Sequence, residues 1–426
     1  MNPRVVALKL VMRAVRMRWP MRLAAPWMRA YDPFRDDFRR DPYPALRRLR
    51  ASAPVTFHPV FRSWLVSRYE DCTQVLRLPT TSVDRAQLGD LELLDLSPEA
   101  IEGIRASLLM IDPPDHTRIR GLVNKAFTPR VVEALRPRVE AIVAELLDAV
   151  EARGARRFDL IEDFAYPLPV IVIAELLGIP AEDREAFKRW SDQLAVVLDP
   201  FSTGGRFDGV DRAFVEARAY FSRIFAERRR DPRDDLVSAL VAAEEAGERL
   251  NETELLSVCL LLLGAGHETT TGLIGNAVLT LLRHPTERRW LLEDPARVAP
   301  AVEELLRWDS PVQMTDRIVS EDLELGGARI RAGEQVVLLL GAANRDPDRF
   351  SAPESLDLAR AEGRSLSFGH GIHFCVGAAL ARVEAQIAIP AVLRRWPTLA
   401  LERAPRAADY KPSMVLRGLE RLPLSF

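Results

Sequence analysis

The chain has 426 residues with 59 basic and 61 acidic side chains, so no global positive field marks it as a nucleic-acid binder. An apolar fraction of 48% supplies a sizeable core. The 3 cysteines, Cys72, Cys259 and Cys375, show no CxxC or paired spacing, which excludes a disulfide scaffold and a cysteine-rich zinc site and fits a reducing, cytoplasmic setting.

Residues 1–31 form a basic extension: Arg4, Lys9, Arg13, Arg16, Arg18, Arg22 and Arg29 all precede the first acidic residue, Asp32. Leu8, Val11, Met12, Val15 and Trp19 fall at helical spacing. The segment reads either as a frayed basic arm or as a helix in weak contact with an anionic membrane surface. Its charges interrupt any apolar run long enough to span a bilayer. From 32 to 426 no repeat and no Gly/Ser/Pro linker marks a boundary, so this stretch is expected to be a single domain.

Pro54–His58 and Trp64–Ser67 read as a hairpin. Helical periodicity then dominates, over Val131–Ala152, Leu168–Leu177, Arg212–Arg229, Glu252–Arg283 and Gly377–Arg394. A second hairpin is expected from Ala328–Ile330 and Gln335–Leu340, turning at Ala332-Gly333. The expectation is a mainly α fold with small β-sheets.

One helix breaks its own rules. Asn251 and Glu254 form an N-cap pattern, and the run continues until Pro285 stops it. Leu260-Leu261-Leu262-Leu263 is apolar on every side and reads as buried, yet Gly264-Ala265-Gly266-His267-Glu268-Thr269 follows at once. Glycines and a carboxylate inside a buried helix cost stability, and such a break is where function is expected.

Near the C-terminus, Phe368-Gly369-His370-Gly371-Ile372-His373-Phe374-Cys375-Val376-Gly377 leads into a helix. A thiolate iron ligand needs backbone N–H groups aimed at sulfur, an apolar shield and a nearby helix N-terminus, and this segment offers all three. The spacing F-G-x-G-x-H-x-C-x-G resembles the haem-binding loop of cytochromes P450. Three further segments resemble that family in the same order: Asp112-Pro113-Pro114-Asp115-His116-Thr117-Arg118-Ile119-Arg120, Glu304-Leu305-Leu306-Arg307, and Ala343-Asn344-Arg345-Asp346-Pro347. The likeness runs from about Asp41 to Leu419.

That resemblance carries a set of expectations. The fold would be that of a P450, with haem b held between a long distal helix and a proximal cysteine-loop helix. Cys375 would ligate the iron. His116, Arg120, Arg317 and His373 would bind the propionates, whose burial needs several cationic or N–H donors. Phe368, Ala265 and Gly377 would line the haem, and Glu304, Arg307 and Arg345 would form a structural network behind it. Ala265-Gly266-His267-Glu268-Thr269 matches the family's distal element, making Glu268 and Thr269 the proton-delivering pair for dioxygen activation, while His267 points away from the iron. Leu94, Val197, Leu262, Ala265, Val312, Met314 and Val415 would line an apolar substrate pocket.

The implied activity is monooxygenation of a hydrophobic small molecule of polyketide, terpenoid, steroid or fatty-acyl type. No flavin or iron–sulfur segment is fused to the chain, so a ferredoxin and its reductase are expected to supply electrons to a monomeric enzyme. Arg118, Lys125, Arg130 and Arg382 are candidates for docking that donor. Epoxidation, desaturation or carbon–carbon coupling in place of hydroxylation, and a haem-binding protein without turnover, stay open as alternatives.

Overall fold

The computed structural model describes residues 31–426 apart from 89–90, 92–94, 200–206, 208 and 246–247. The basic extension, residue 31 aside, and Leu94 therefore lie outside the described residues.

The helix Glu252–Arg283, with 32 residues, organises the molecule. Its start is fixed by a reciprocal cap: Asn251 Oδ1 accepts the Glu254 N–H at 2.9 Å, and Glu254 Oε2 accepts the Asn251 N–H at 2.9 Å. His284 ends it just before Pro285. It is long and apolar enough to cross a membrane, but 67% of its most apolar stretch is buried inside the fold. Against it pack Pro167–Leu176, Arg184–Ala195, Val210–Arg230, Val298–Trp308 and Ala378–Arg395. One large apolar core joins these helices. Phe164, Phe187, Phe221 and Phe225 are among its fully buried side chains.

The main sheet has 5 strands in the order Val55–His58, Ser63–Val66, Gln335–Leu338, Thr315–Val319, Thr81–Ser82. Its first pair is the antiparallel hairpin read from the sequence. The second expected hairpin does not form. Ala328–Ile330 turns back on Leu323–Leu325 across Gly326-Gly327, both at positive φ, which is what a two-residue hairpin turn demands. Gln335–Leu338 instead lies centrally in the main sheet, parallel to Ser63–Val66 and antiparallel to Thr315–Val319. The chain does turn at Gly333 (φ 83°), but the strands on either side of it join different sheets.

The helix expected over Val131–Ala152 is two helices, Pro129–Ala134 and Arg136–Ala152. Pro137 sits in the first turn of the second, where its missing N–H costs nothing, and so it favours a new start. The remaining three helices match their expected spans to within a residue or two.

Candidate active site

A cavity of ≈ 520 Å³ lies between the long helix and the cysteine loop. On one side Leu260, Leu261, Leu262, Ala265 and Thr269 face it; on the other, Phe368, His373, Cys375 and Gly377 do. The loop is shaped by two left-handed glycines, Gly369 and Gly371, each at φ 72°. A Cβ on Gly371 would stand 2.3 Å from the Leu76 carbonyl oxygen, so no other residue fits there without moving backbone. Gly377 differs: its φ is −84°, and it caps the helix Ala378–Arg395.

Cys375 is held by its N–H, which donates to the Phe368 carbonyl at 3.0 Å. The residue is exposed and lines the cavity. Burial raises the thiol's pKa, while the Gly377 and Ala378 N–H groups and the charges of Arg120 and Arg382 act in the opposite direction. Phe368 and Phe374 approach at 6.3 Å between ring centroids, shielding this side, and Arg382 lies over the Phe368 ring at 4.5 Å.

Cationic and N–H groups crowd one edge of the cavity. The His116 and His373 rings lie 4.2 Å apart. Both ring nitrogens of His116 are buried without a partner among the described residues. Arg317 is buried and, among the described residues, bonds only its own strand, through Thr315 Oγ1 and the Asp316 carbonyl. Arg120 donates to the Phe374 carbonyl at 2.6 Å. The His373 pKa is pulled down to about 3, first by burial and then by Arg317 and His116. So many donors and like charges, with orphaned imidazole nitrogens among them, call for an anion of more than one carboxylate. The donor set fits the haem that the sequence implies.

Thr269 lies mid-helix, and its Oγ1 donates to the Ala265 carbonyl at 3.0 Å. The helix stays unbroken through this bond, which leaves the Thr269 oxygen an acceptor at the cavity wall. Glu268, expected beside it at the cavity, turns elsewhere: it is ion-paired with Lys411 from the C-terminal loop and does not line the cavity. His267 also points away from the cavity; it is buried against Ser191 and the Leu263 carbonyl. Val197, Leu262, Ala265, Val312, Met314 and Val415 all line the cavity, as does Leu91.

The network behind the cavity corrects one expectation. Glu304 receives a bidentate pair from Arg307, at 2.6 and 2.8 Å. The second arginine on Glu304 is Arg360, at 3.1 Å, not Arg345. Arg345 instead donates to the Trp308 carbonyl and to Glu354, and stacks on the Tyr43 ring at 3.5 Å. A buried carboxylate of this kind needs both arginines to offset its desolvation.

Arg118 and Arg382 are not free docking charges. Arg118 pairs with Glu254, tying the Asp115–Ala126 helix to the start of the long helix, and Arg382 pairs with Glu303. Lys125 and Arg130 are exposed. Lys411, Arg360, Asp199 and Glu384 escaped the sequence reading. Asp199 is 2% exposed and accepts from Ser413 Oγ and the Met414 N–H, both at 2.6 Å, closing one wall of the cavity. These residues lie in no motif: Lys411, Arg360 and Asp199 are revealed by their partners, and Glu384 by its burial.

Comparison with known proteins gives the family directly. Residues 95–422 match the cytochrome P450 family. A polyketide biosynthesis cytochrome P450, PksS of Bacillus subtilis, is 41% identical over 405 residues, which is 93% of this chain and 98% of that protein. A vitamin D(3) 25-hydroxylase of Pseudonocardia autotrophica is 40% identical over 410 residues, 95% of this chain and 98% of its own length. Among solved structures, P450BioI in complex with an acyl carrier protein carrying hexadec-9Z-enoic acid has a TM-score of 0.83 at 39% identity, covering 92% of this chain and 99% of that one.

Proposed function

This chain belongs to the cytochrome P450 family, a haem b monooxygenase, and from that we propose that it hydroxylates an apolar small molecule with electrons from a ferredoxin and its reductase in the cytoplasm. The observation that carries the reading is the opposition of Cys375 and Thr269 across a cavity whose remaining walls are mostly aliphatic and aromatic. When bound there, haem supplies the iron that activates dioxygen for insertion of one oxygen atom into a C–H bond.

In this reading Cys375 would hold the iron through its thiolate, stabilised by the N–H groups at the start of the following helix. His116, Arg120, Arg317 and His373 would hold the propionates. Thr269 keeps its own proton engaged with the Ala265 carbonyl, so its oxygen accepts a hydrogen bond from water entering the cavity. Glu268 feeds protons toward that water from the Lys411 side of the helix. Leu262, Val197, Val312, Met314 and Val415 exclude bulk water and orient substrate by shape alone. Glu304, Arg307 and Arg360 hold the helix and the loop behind the haem in register.

The relatives' names span polyketide biosynthesis, vitamin D(3) 25-hydroxylation and an acyl chain on a carrier protein. With the apolar wall, these favour an acyl, polyketide or steroid-like substrate. The test is a panel of such compounds, screened for a low-to-high-spin haem shift and then turned over with ferredoxin and its reductase under 18O2. A hydroxylated product carrying one 18O supports the reading. Product lacking the label, or turnover that persists without the donor, contradicts it.

A further inference from the structure

His267 is 1% exposed, yet its Nε2 has no hydrogen-bond partner among the described residues. An unpartnered polar atom this deep in a helix core is destabilising. The cost has a direction. Nε2 faces two carboxylates, Glu268 Oε1 at 3.8 Å and Asp192 Oδ1 at 3.9 Å. Asp192 is 48% exposed at its side chain and Glu268 16%, so the imidazole stands between a wet acid and a nearly dry one. The other ring nitrogen assigns the tautomer. Nδ1 lies 3.0 Å from the Leu263 carbonyl, which only accepts; with the hydrogen placed on Nδ1 to meet it, neutral Nε2 is bare. The Ser191 hydroxyl, 2.7 Å from Nδ1 and donating to the same carbonyl, fixes the ring in this pose.

We propose that His267 is a proton-carrying link from the protein surface to the Glu268–Thr269 pair. The inference rests on the reading of that pair given above. Nε2 takes a proton arriving by way of Asp192, becomes an imidazolium, and gives the proton to Glu268 Oε1 from the same nitrogen, returning to the neutral ring. No ring flip is needed, and charge and protons balance at each transfer. The separations, 3.8 and 3.9 Å, close to hydrogen-bonding distance with a side-chain movement of about 1 Å on either side.

The surroundings match a transient carrier. Burial lowers the imidazole pKa; Glu268, the Leu263 carbonyl and Asp192 act against this, and Lys411 acts with it. The Tyr166 ring meets His267 edge-on at 5.4 Å, its hydroxyl donates to Asp192, and Lys188 lies over that ring at 5.0 Å. Lys411 occupies Oε2 of Glu268, leaving Oε1 as the oxygen facing the imidazole.

The experiment uses haem-loaded enzyme with plant-type ferredoxin and its reductase, and hexadec-9Z-enoic acid as probe. Oxygen consumption and hydrogen peroxide release are both measured in H2O and D2O for wild type, His267→Gln, Asp192→Asn and Thr269→Ala. The proposal expects His267→Gln to lower the rate about tenfold and to raise the solvent isotope effect, with an unchanged carbon monoxide spectrum. Asp192→Asn shifts both readings the same way and decides the matter should His267→Gln fail to load haem, because it leaves the core untouched. Wild-type rate and isotope effect in the variants, beside an uncoupled Thr269→Ala, would overturn the relay alone. An unaltered Thr269→Ala would instead overturn the reading of the acid–alcohol pair.

Discussion

At the scale of single residues, Thr269 and Glu268 are neighbours with opposite surroundings. Thr269 looks into the cavity, while Glu268 is paired to Lys411 outside it. Thr269→Ala removes the hydroxyl without disturbing the haem pocket's donors. Product formed per reduced cofactor consumed should fall about tenfold, with the missing electrons recovered as peroxide or water. Full coupling in the variant would remove Thr269 from proton delivery. Behind the haem, Glu304 bonds Arg307 and Arg360, and Arg345 has other partners. A double-mutant cycle of Glu304→Gln with Arg360→Ala should therefore show coupling of about 1 kcal/mol or more, whereas Glu304→Gln with Arg345→Ala adds to within about 0.5 kcal/mol. Denaturant unfolding of the haem-free chains measures both. The sequence alone pointed to Arg345, since its motif is recognisable; Arg360 sits in an unremarkable Leu358-Ala359-Arg360 stretch, and only the folded contact identifies it.

At the scale of elements, legibility tracked how local each signal is. The long helix was read to its last residue because its cap and its terminating Pro285 are both local features. Asn251→Ala should destabilise the protein by about 1 kcal/mol, whereas Asn251→Asp retains the cap; melting temperatures of the pair measure the difference. The failed hairpin shows the limit. Local pattern placed a turn at Gly333 correctly, but strand partners are chosen by long-range pairing, and Gln335–Leu338 found both neighbours far away in sequence. The same holds for the cavity wall. Leu262 and Ala265 were legible on one helix face, while the clasp of Asp199 onto Ser413 and Met414 joins segments separated by over two hundred residues.

At the scale of the whole molecule, one buried acid couples stability to pH. Glu384, on the helix that follows Cys375, is 1% exposed, and burial pushes its pKa up from 4.5 to about 8. The folded state therefore keeps its proton where the unfolded chain has lost it. Its contribution is full below about pH 4.5 and is lost as pH rises toward 8. The loss is at most about 4–5 kcal/mol. Glu384→Gln should flatten this part of the stability curve, gaining most over wild type near pH 8. Parallel curves for the two proteins would show that Glu384 ionises normally in the fold.

The measurement that tests the account most directly is the carbon monoxide difference spectrum of the reduced protein, recorded beside that of Cys375→Ala. Thiolate ligation by Cys375 predicts a strongly red-shifted Soret band in the wild type and its loss in the variant. A band at the ordinary histidine-ligated position in folded wild type, or a red-shifted band that survives Cys375→Ala, would contradict the assignment of Cys375 as the iron ligand.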